Sequence, residues 1–394
     1  MSEPIVRIAA RGEGVTASGR HVAFAAPGDL LLDDGTLELG SSHQKPPCNL
    51  FPRCGGCHLQ HLTDAAYADY CASRVAGALA QHGLEGELRP AHLSPPRTRR
   101  RTSLRALKAG GKVLLGFNEA GSNRVVDMTE CHILHPALFD LLAPLRQLLA
   151  SLLPAKRTGE VQLTLVDQGV DVAMKGVEAI GLEAIEALTA FCERHRLARL
   201  SIDEGYGAET RYEPQPATIS LGGVGVGFPS GSFLQATEDG ETALVTAVRE
   251  ATAGAVRIAD LFAGLGTFAF SLDGQVTAAE ASRDAILALK SAAGRSGRSI
   301  AAEHRDLYRR PYDVGELAAF DAVVLDPPRA GAAEQVRELA ASTVPRIAYV
   351  SCNPATFARD AEVLASGGYK LAWVKPVGQF RWSTHVELAA AFSR

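Results

Sequence analysis

The chain has 394 residues, is 46% hydrophobic, and sets 44 acidic against 40 basic side chains for a net charge of −4. That is enough apolar material for a sizeable core divided among two or three domains. No apolar run approaches the ~20 residues of a membrane-spanning helix, and Met1-Ser-Glu-Pro-Ile-Val-Arg7 lacks the charged and apolar regions of a secretion signal, so a cytoplasmic location with no membrane partner is expected.

Residues 1–44 are Gly-rich and weakly alternating (Gly12-Glu-Gly14-Val, His21-Val-Ala-Phe24), which predicts a short β segment of small strands joined by turns. From 45 to 235 the pattern is mixed and predicts a central α+β domain. It has a helix over Tyr67 to His82, strands over Lys112 to Phe117, Val161 to Val166 and Val170 to Met174, and a helical stretch from Pro136 to Leu153. From 236 to 394 the chain becomes regular: a helix from Gly240 to Ala253, a strand from Val256 to Leu261, a glycine loop, then apolar strands alternating with helices. Such alternation argues a doubly wound parallel sheet, so the expected fold class is α/β with a Rossmann-like C-terminal domain in a monomeric protein.

Seven cysteines is an odd count, which suits a reduced compartment with metal ligation and a reactive thiol better than a disulfide framework. Cys48-x5-Cys54-x2-Cys57 plus the distant Cys131 offers four thiolates. That set suits tetrahedral zinc or an iron–sulfur cluster about equally, while radical chemistry favours Cys-x3-Cys-x2-Cys. Cys71 and Cys192 have no assignable partners and read as small buried hydrophobes. The negative net charge argues mildly against a nucleic-acid partner, but a local run can override a total. Between Arg97 and Lys108 stand six basic residues and no acid. Guanidinium groups pair bidentately with phosphate oxygens, so Arg97, Arg99, Arg100, Arg101 and Arg105 are the candidate RNA contacts, the alternative being a solvated strand edge.

Arg257-Ile-Ala-Asp260-Leu-Phe262-Ala-Gly264-Leu-Gly266-Thr267 reads as a buried strand ending in an acid, then a glycine turn into a helix. Alone, such a turn is weak evidence, and the full Gly-x-Gly-x-x-Gly of a dinucleotide site is missing. Val276-Thr-Ala-Ala-Glu280 ends a second strand in an acid, where such folds bind ribose hydroxyls. Asp306 follows a third strand and reads either as a contact for an adenine amine or as a helix cap. A strand acid, a short glycine turn and a ribose acid suit S-adenosylmethionine, which has a cationic sulfonium and no phosphate. Gly264, Gly266, Thr267, Glu280 and Asp306 are therefore candidate cofactor residues.

Asp326-Pro-Pro-Arg329 stiffens a loop at the carboxyl end of an apolar strand, and one strand later Ser351-Cys352-Asn-Pro354 places a thiol at the same sheet edge. A free cysteine is more often a buried hydrophobe. Beside a cofactor loop, Cys352 reads as a nucleophile. A thiolate adding to uracil C6 gives C5 carbanion character, and a base must then remove the C5 proton after methyl transfer. Glu387 is the candidate base; His385, two residues earlier in an alternating pattern, shares its face and takes a supporting role.

These motifs together resemble the S-adenosylmethionine-dependent RNA uracil-5-methyltransferases, most closely the iron–sulfur-containing bacterial 23S ribosomal RNA branch. The resemblance extends from about Gly12 to the C-terminus. It rests on Cys48-x5-Cys54-Gly-Gly-Cys57 with Glu130-Cys131, Ser232-Phe-Leu-Gln235, the Asp260 loop, Asp326-Pro-Pro-Arg, Ser351-Cys352-Asn-Pro and His385-Val-Glu387. It implies that Cys352 is the nucleophile and Glu387 the base, that Gln235, Phe262, Glu280, Asp306 and Asp326 contact cofactor or target, and that the four cysteines hold a four-iron, four-sulfur cluster. The implied substrate is 23S rRNA before full ribosome assembly, and the implied product 5-methyluridine. Departures from the family pattern are a shortened N-terminal segment, Ala-Thr after Gln235 in place of Val-Asn, and Gln379-Phe-Arg-Trp in place of Asp-x-Phe-Pro. Rival readings are a transfer-RNA uracil-5-methyltransferase, an RNA cytosine-5-methyltransferase, an exocyclic-amine methyltransferase and a noncatalytic iron–sulfur RNA-binding protein. The cytosine enzymes usually carry a second cysteine after the Asp-Pro motif, and exocyclic-amine enzymes an aromatic where Arg329 stands.

Overall fold

The alternation after residue 236 becomes, in a computed structural model describing residues 2–154 and 157–394, one twisted sheet. Its parallel strands are β1 (Arg257–Leu261), β2 (Gln275–Glu280), β3 (Ile300–His304), β4 (Ala322–Leu325) and β5 (Arg346–Ser351), lying in the order β3-β2-β1-β4-β5. Beyond β5 come β7 (Glu387–Ser393) and then β6 (Lys370–Gly378), with β7 antiparallel to both neighbours. Two short segments, Glu87–Leu88 and His92–Leu93, extend the β6 edge in parallel. All four residues of β4 are buried, as an apolar run covered on both faces requires.

Among the helices of this unit are α1 (Glu238–Ala251), α2 (Arg283–Ser296), α3 (Ala333–Ala341) and α4 (Pro354–Ser366). Thr237, Ser282 and Asn353 cap α1, α2 and α4 through side-chain oxygens, and Pro354 opens α4 where a missing N–H costs nothing.

A second set of elements forms a separate unit. Residues 3–38 make a five-stranded antiparallel sheet of short strands. A six-stranded sheet follows, built from Arg101–Ala109, Lys112–Gly116, Thr158–Val166, Gly169–Lys175, Arg199–Asp203 and Ala208–Tyr212. Leu104, Val161, Leu163 and Val172 share its core with Leu145 and Leu149 of the helix Leu142–Leu152. The stretch from Pro136 to Leu153, expected as one helix, is two: Pro136–Phe139 and Leu142–Leu152.

The two units do not follow boundaries at 44 and 235. One comprises the chain up to Tyr67, Pro95–Thr218 and Phe380–Thr384; the other comprises Ala68–Ser94, Ile219–Gln379 and His385–Arg394. Residues 68–94 join the parallel sheet through the two edge segments. Phe380–Thr384, between β6 and β7, joins the other unit because the His58 and Leu59 N–H groups donate to the Trp382 carbonyl at 2.8 and 2.9 Å. The Tyr67 hydroxyl donates there too, to the Phe380 and Ser383 carbonyls, and Arg381 pairs with Asp64. Among the described residues, no helix is long and apolar enough to cross a membrane.

Candidate active site

The strand order reverses between β1 and β4, the position where open α/β sheets bind ligands beyond the carboxyl ends of their strands. Asp260 sits in β1, and Phe262, just after it, holds a φ of +64°, a left-handed conformation that side chains rarely adopt. Gly266 has a φ of +94°, and a Cβ there would lie 2.8 Å from the Phe270 ring, so the turn needs glycine on both counts. Glu280, at the end of β2, accepts the Gly264 N–H at 3.0 Å and the Ser282 N–H at 2.6 Å. Asp306 accepts the Tyr308 N–H at 3.0 Å within a turn rather than capping a helix. Tyr308, which no local pattern singled out, sets its ring 5.6 Å from that of Phe262. Thr267 is half-buried in the same loop.

Three acids crowd this crevice. Asp260 is fully buried; one carboxylate oxygen accepts the Ala269 N–H at 2.9 Å and the other has no hydrogen-bond partner. Burial, reinforced by Asp326 and Glu280, pushes the Asp260 carboxyl up to about 7. Asp326 keeps some accessible surface yet lies deep in the crevice, and burial pushes it up to about 7 as well. Among the described residues no Lys or Arg forms an ion pair with any of the three, so the crevice suits a cationic ligand.

The raised values carry a sign. Relative to the ordinary aspartate value of 3.8, both groups stay protonated longer in the folded chain. Their contribution to stability is present below that value and is lost as pH rises through about 7. The ligand-free protein should therefore melt lower at about pH 8 than at about pH 6. Added S-adenosylmethionine should raise the melting temperature by about 2 °C more at the higher pH. Thermal melts with and without it at both values check this; equal shifts would mean that the acids titrate normally.

Cys352 lies between β5 and α4, half-buried, one residue before the cap of a 13-residue helix whose N-terminus favours a thiolate. Its loop is tied to the one after Asp326: the Asn353 side-chain amide and the Thr356 hydroxyl both donate to the Arg329 carbonyl, at 3.2 and 3.1 Å. Burial pushes the thiol up, Glu387 and Asp326 push it further, and Arg329 pulls it down. Those effects put the thiol within electrostatic reach of both carboxylates. Glu387 opens β7, 3% exposed, and accepts a hydrogen bond from Gln379. Gln235, also buried, donates to Asp326 at 3.3 Å. His385 differs from expectation. It is exposed while Glu387 is buried, because the strand begins only at Glu387 and the alternation does not reach back.

In the other unit Cys48, Cys54, Cys57 and Cys131 are free and line one pocket that Arg99, Phe117 and Met128 also line. Cys131 Sγ accepts the N–H groups of Ile133 and Leu134 at 3.5 and 3.4 Å. Burial pushes Cys48 up to about 11 and Cys57 up to about 12, and the neighbouring thiols add to it. As thiolates these sulfurs need positive charge nearby. Among the described residues, no three His, Cys, Asp or Glu side chains are disposed to hold one metal ion. Cys71 and Cys192 are fully buried.

The basic run divides by its surroundings. In the strand Arg101–Ala109, Thr102, Leu104 and Ala106 point into the core, and Arg100 is buried with them, 7% exposed, so its guanidinium is not a surface contact. Arg99 lines the cysteine pocket and donates to the Arg101 carbonyl at 3.1 Å. Arg97 and Arg105 are exposed, Arg105 pairing with Glu160 at 3.3 Å, and Arg101 is half-buried.

Residues 299–394 match the family model for tRNA (uracil-5-)-methyltransferase. Along nearly its whole length the chain is similar to an uncharacterized RNA methyltransferase of Zymomonas mobilis, at 49% identity and covering 99% of each. It is 31% identical to a 23S rRNA (uracil(1939)-C(5))-methyltransferase of Nitrosococcus oceani, covering 97% of this chain and 95% of that protein. Among solved structures, the fold is like that of the tRNA (uracil-54, C5)-methyltransferase of Pyrococcus abyssi in complex with S-adenosyl-L-homocysteine, with a TM-score of 0.76 at 22% identity over 100% of both chains.

Proposed function

The chain belongs to the RNA uracil-5-methyltransferase family, and from that premise we propose that it methylates C5 of a uridine in 23S rRNA through a covalent adduct on Cys352. The observation that carries this reading is Cys352 at the carboxyl edge of the sheet, on a loop tied to the one after Asp326 through the Arg329 carbonyl. Cys352 adds as thiolate to C6, forming a sulfur–carbon bond and moving the C5–C6 π pair towards C5. Bound S-adenosylmethionine supplies an electrophilic methyl group for that carbon. Glu387 then takes the C5 proton; the pair left behind restores the C5–C6 double bond and expels the Cys352 thiolate.

Asp326 and Glu280 fit the cation of the methyl donor, Glu280 also fitting its ribose, and Phe262 with Tyr308 offers aromatic faces to its base. The Gly264, Gly266 and Thr267 turn lets backbone approach it, and Asp306 stands beside Tyr308. Arg97, Arg101 and Arg105 remain as phosphate contacts. The target base has to leave its stack to reach Cys352, at a cost of a few kcal/mol, so a structured loop is a better substrate than a perfect duplex.

The four cysteines line one pocket, and they are the residues that would hold the four-iron, four-sulfur cluster implied by the resemblance. Bound there, it would tie the Cys48–Cys57 segment to Cys131. Anaerobically purified protein should contain iron and acid-labile sulfide. Zinc without sulfide would reverse the assignment.

Transfer RNA is the second reading, favoured by the family model's description. Incubation with S-adenosylmethionine and RNA carrying 5-tritiated uridine decides both questions. Tritium should reach water from 23S rRNA and not from tRNA; release from tRNA alone would move the substrate, and release from neither would end the proposal.

A further inference from the structure

Gln379 immediately follows β6 and is 1% exposed. Its Oε1 accepts the Ala236 N–H at 2.8 Å and the Thr237 N–H at 3.4 Å. A backbone N–H can only donate, so these two contacts fix which end of the amide faces which way. Nε2 must therefore point to the opposite side, where it donates to Gln235 Oε1 at 2.7 Å and to Glu387 Oε2. Gln235 is oriented in turn, its oxygen being occupied, and its Nε2 donates to Asp326 Oδ2 at 3.3 Å. Two backbone donors thus set the direction of a hydrogen-bond chain that ends on two carboxylates, both of which act electrostatically on Cys352. Helix α1 makes room for it: a Cβ at Gly240 would stand 2.7 Å from Gln379 Cβ.

We propose that Gln379 is a positioning residue for proton abstraction, holding Glu387 as a carboxylate in a fixed orientation. The inference rests on the assignment of Glu387 as the base. A buried carboxylate beside Asp326 and a developing thiolate would otherwise tend to keep its proton, which would leave nothing to accept the one on C5. A donor that cannot turn round favours the ionised form, and a hydrogen bond to a charged acceptor is about twice as strong as a neutral one. Gln235, pinned by the same amide, keeps Asp326 at a set distance from Glu387.

The test is Gln379→Glu, nearly isosteric, which keeps an oxygen for the Ala236 N–H but replaces a fixed amide donor with a second carboxyl that must share a proton with Glu387. Its kcat should fall about 10- to 100-fold while KM for RNA and for S-adenosylmethionine changes less than about threefold. RNA carrying the new methyl group should accumulate in a covalent protein adduct, because its C5 proton leaves slowly. Wild-type kcat, or a loss in kcat without that adduct, would overturn the proposal. RNA containing 5-fluorouridine separates the two layers, since fluorine cannot be removed as a proton. Wild type and variant should both be trapped on it. Failure of the wild type would count against the Cys352 mechanism itself, whereas trapping of both with normal turnover of the variant on ordinary RNA would count against Gln379 alone. If Gln379→Glu does not fold, Gln379→Met, uncharged and of similar volume, carries the same expectation.

Discussion

Replacing Cys352 by alanine should lower methyl transfer by on the order of a thousandfold or more while leaving the affinity for S-adenosylmethionine within about twofold. The acids and the glycine turn that fit the donor lie on β1, β2 and β4, whereas Cys352 follows β5. Removing its sulfur therefore takes nothing from those contacts. What disappears is the bond to C6, without which uracil C5 is too weak a nucleophile to attack a sulfonium. Calorimetric binding beside a single-turnover methylation assay checks both halves. Appreciable turnover by Cys352→Ala would mean that no covalent step is needed.

Glu387→Gln should show the opposite failure, a reaction that starts and cannot finish. Glutamine matches the size of Glu387 and can still accept from Gln379, so the pocket keeps its shape. The thiol can add and the methyl group can arrive, but the C5 proton has no acceptor and the sulfur cannot be expelled. Turnover should fall by about 10²–10⁴-fold, and a shifted band carrying both RNA and the transferred methyl should persist on a denaturing gel. A variant that turns over slowly without any such band would assign the proton to another group.

The parallel sheet was legible because four of its five parallel strands are short apolar runs with a chemically distinctive residue at or near the end: Asp260, Glu280, Asp326, Cys352. Helix edges were less so. The helix expected from Gly240 begins at Glu238, because Thr237 caps it and the acids after it suit a helix N-terminus. The buried face of the arginine run runs against the expectation that Arg100 contacts RNA. Arg100 has the same parity as Thr102, Leu104 and Ala106, and period-two alternation assigns it to the core.

Other features had no local signature. Gln379 meets Ala236 across 143 residues, so nothing around either position announces the contact. Tyr308 becomes part of the crevice only when the turn after β3 comes against the positive-φ turn after β1. Residues 68–94 join the sheet through two strands of two residues each, too short to leave a periodic trace. The same holds for the excursion of Phe380–Thr384, whose attachment runs through backbone carbonyls that any side chain would carry.

The crowding of Asp260, Asp326 and Glu280 also bears on how a catalytic cycle ends. Once the methyl group has gone, the donor's sulfur is a neutral thioether, and the share of the attraction owed to the sulfonium charge is lost. Mutual repulsion among three acids is then balanced only by taking a proton back from solvent, and the spent molecule leaves more easily than its charged precursor. Resistance to product inhibition would thus arise from one elementary charge lost at sulfur, and it should weaken in acid, where the carboxyls are already neutral.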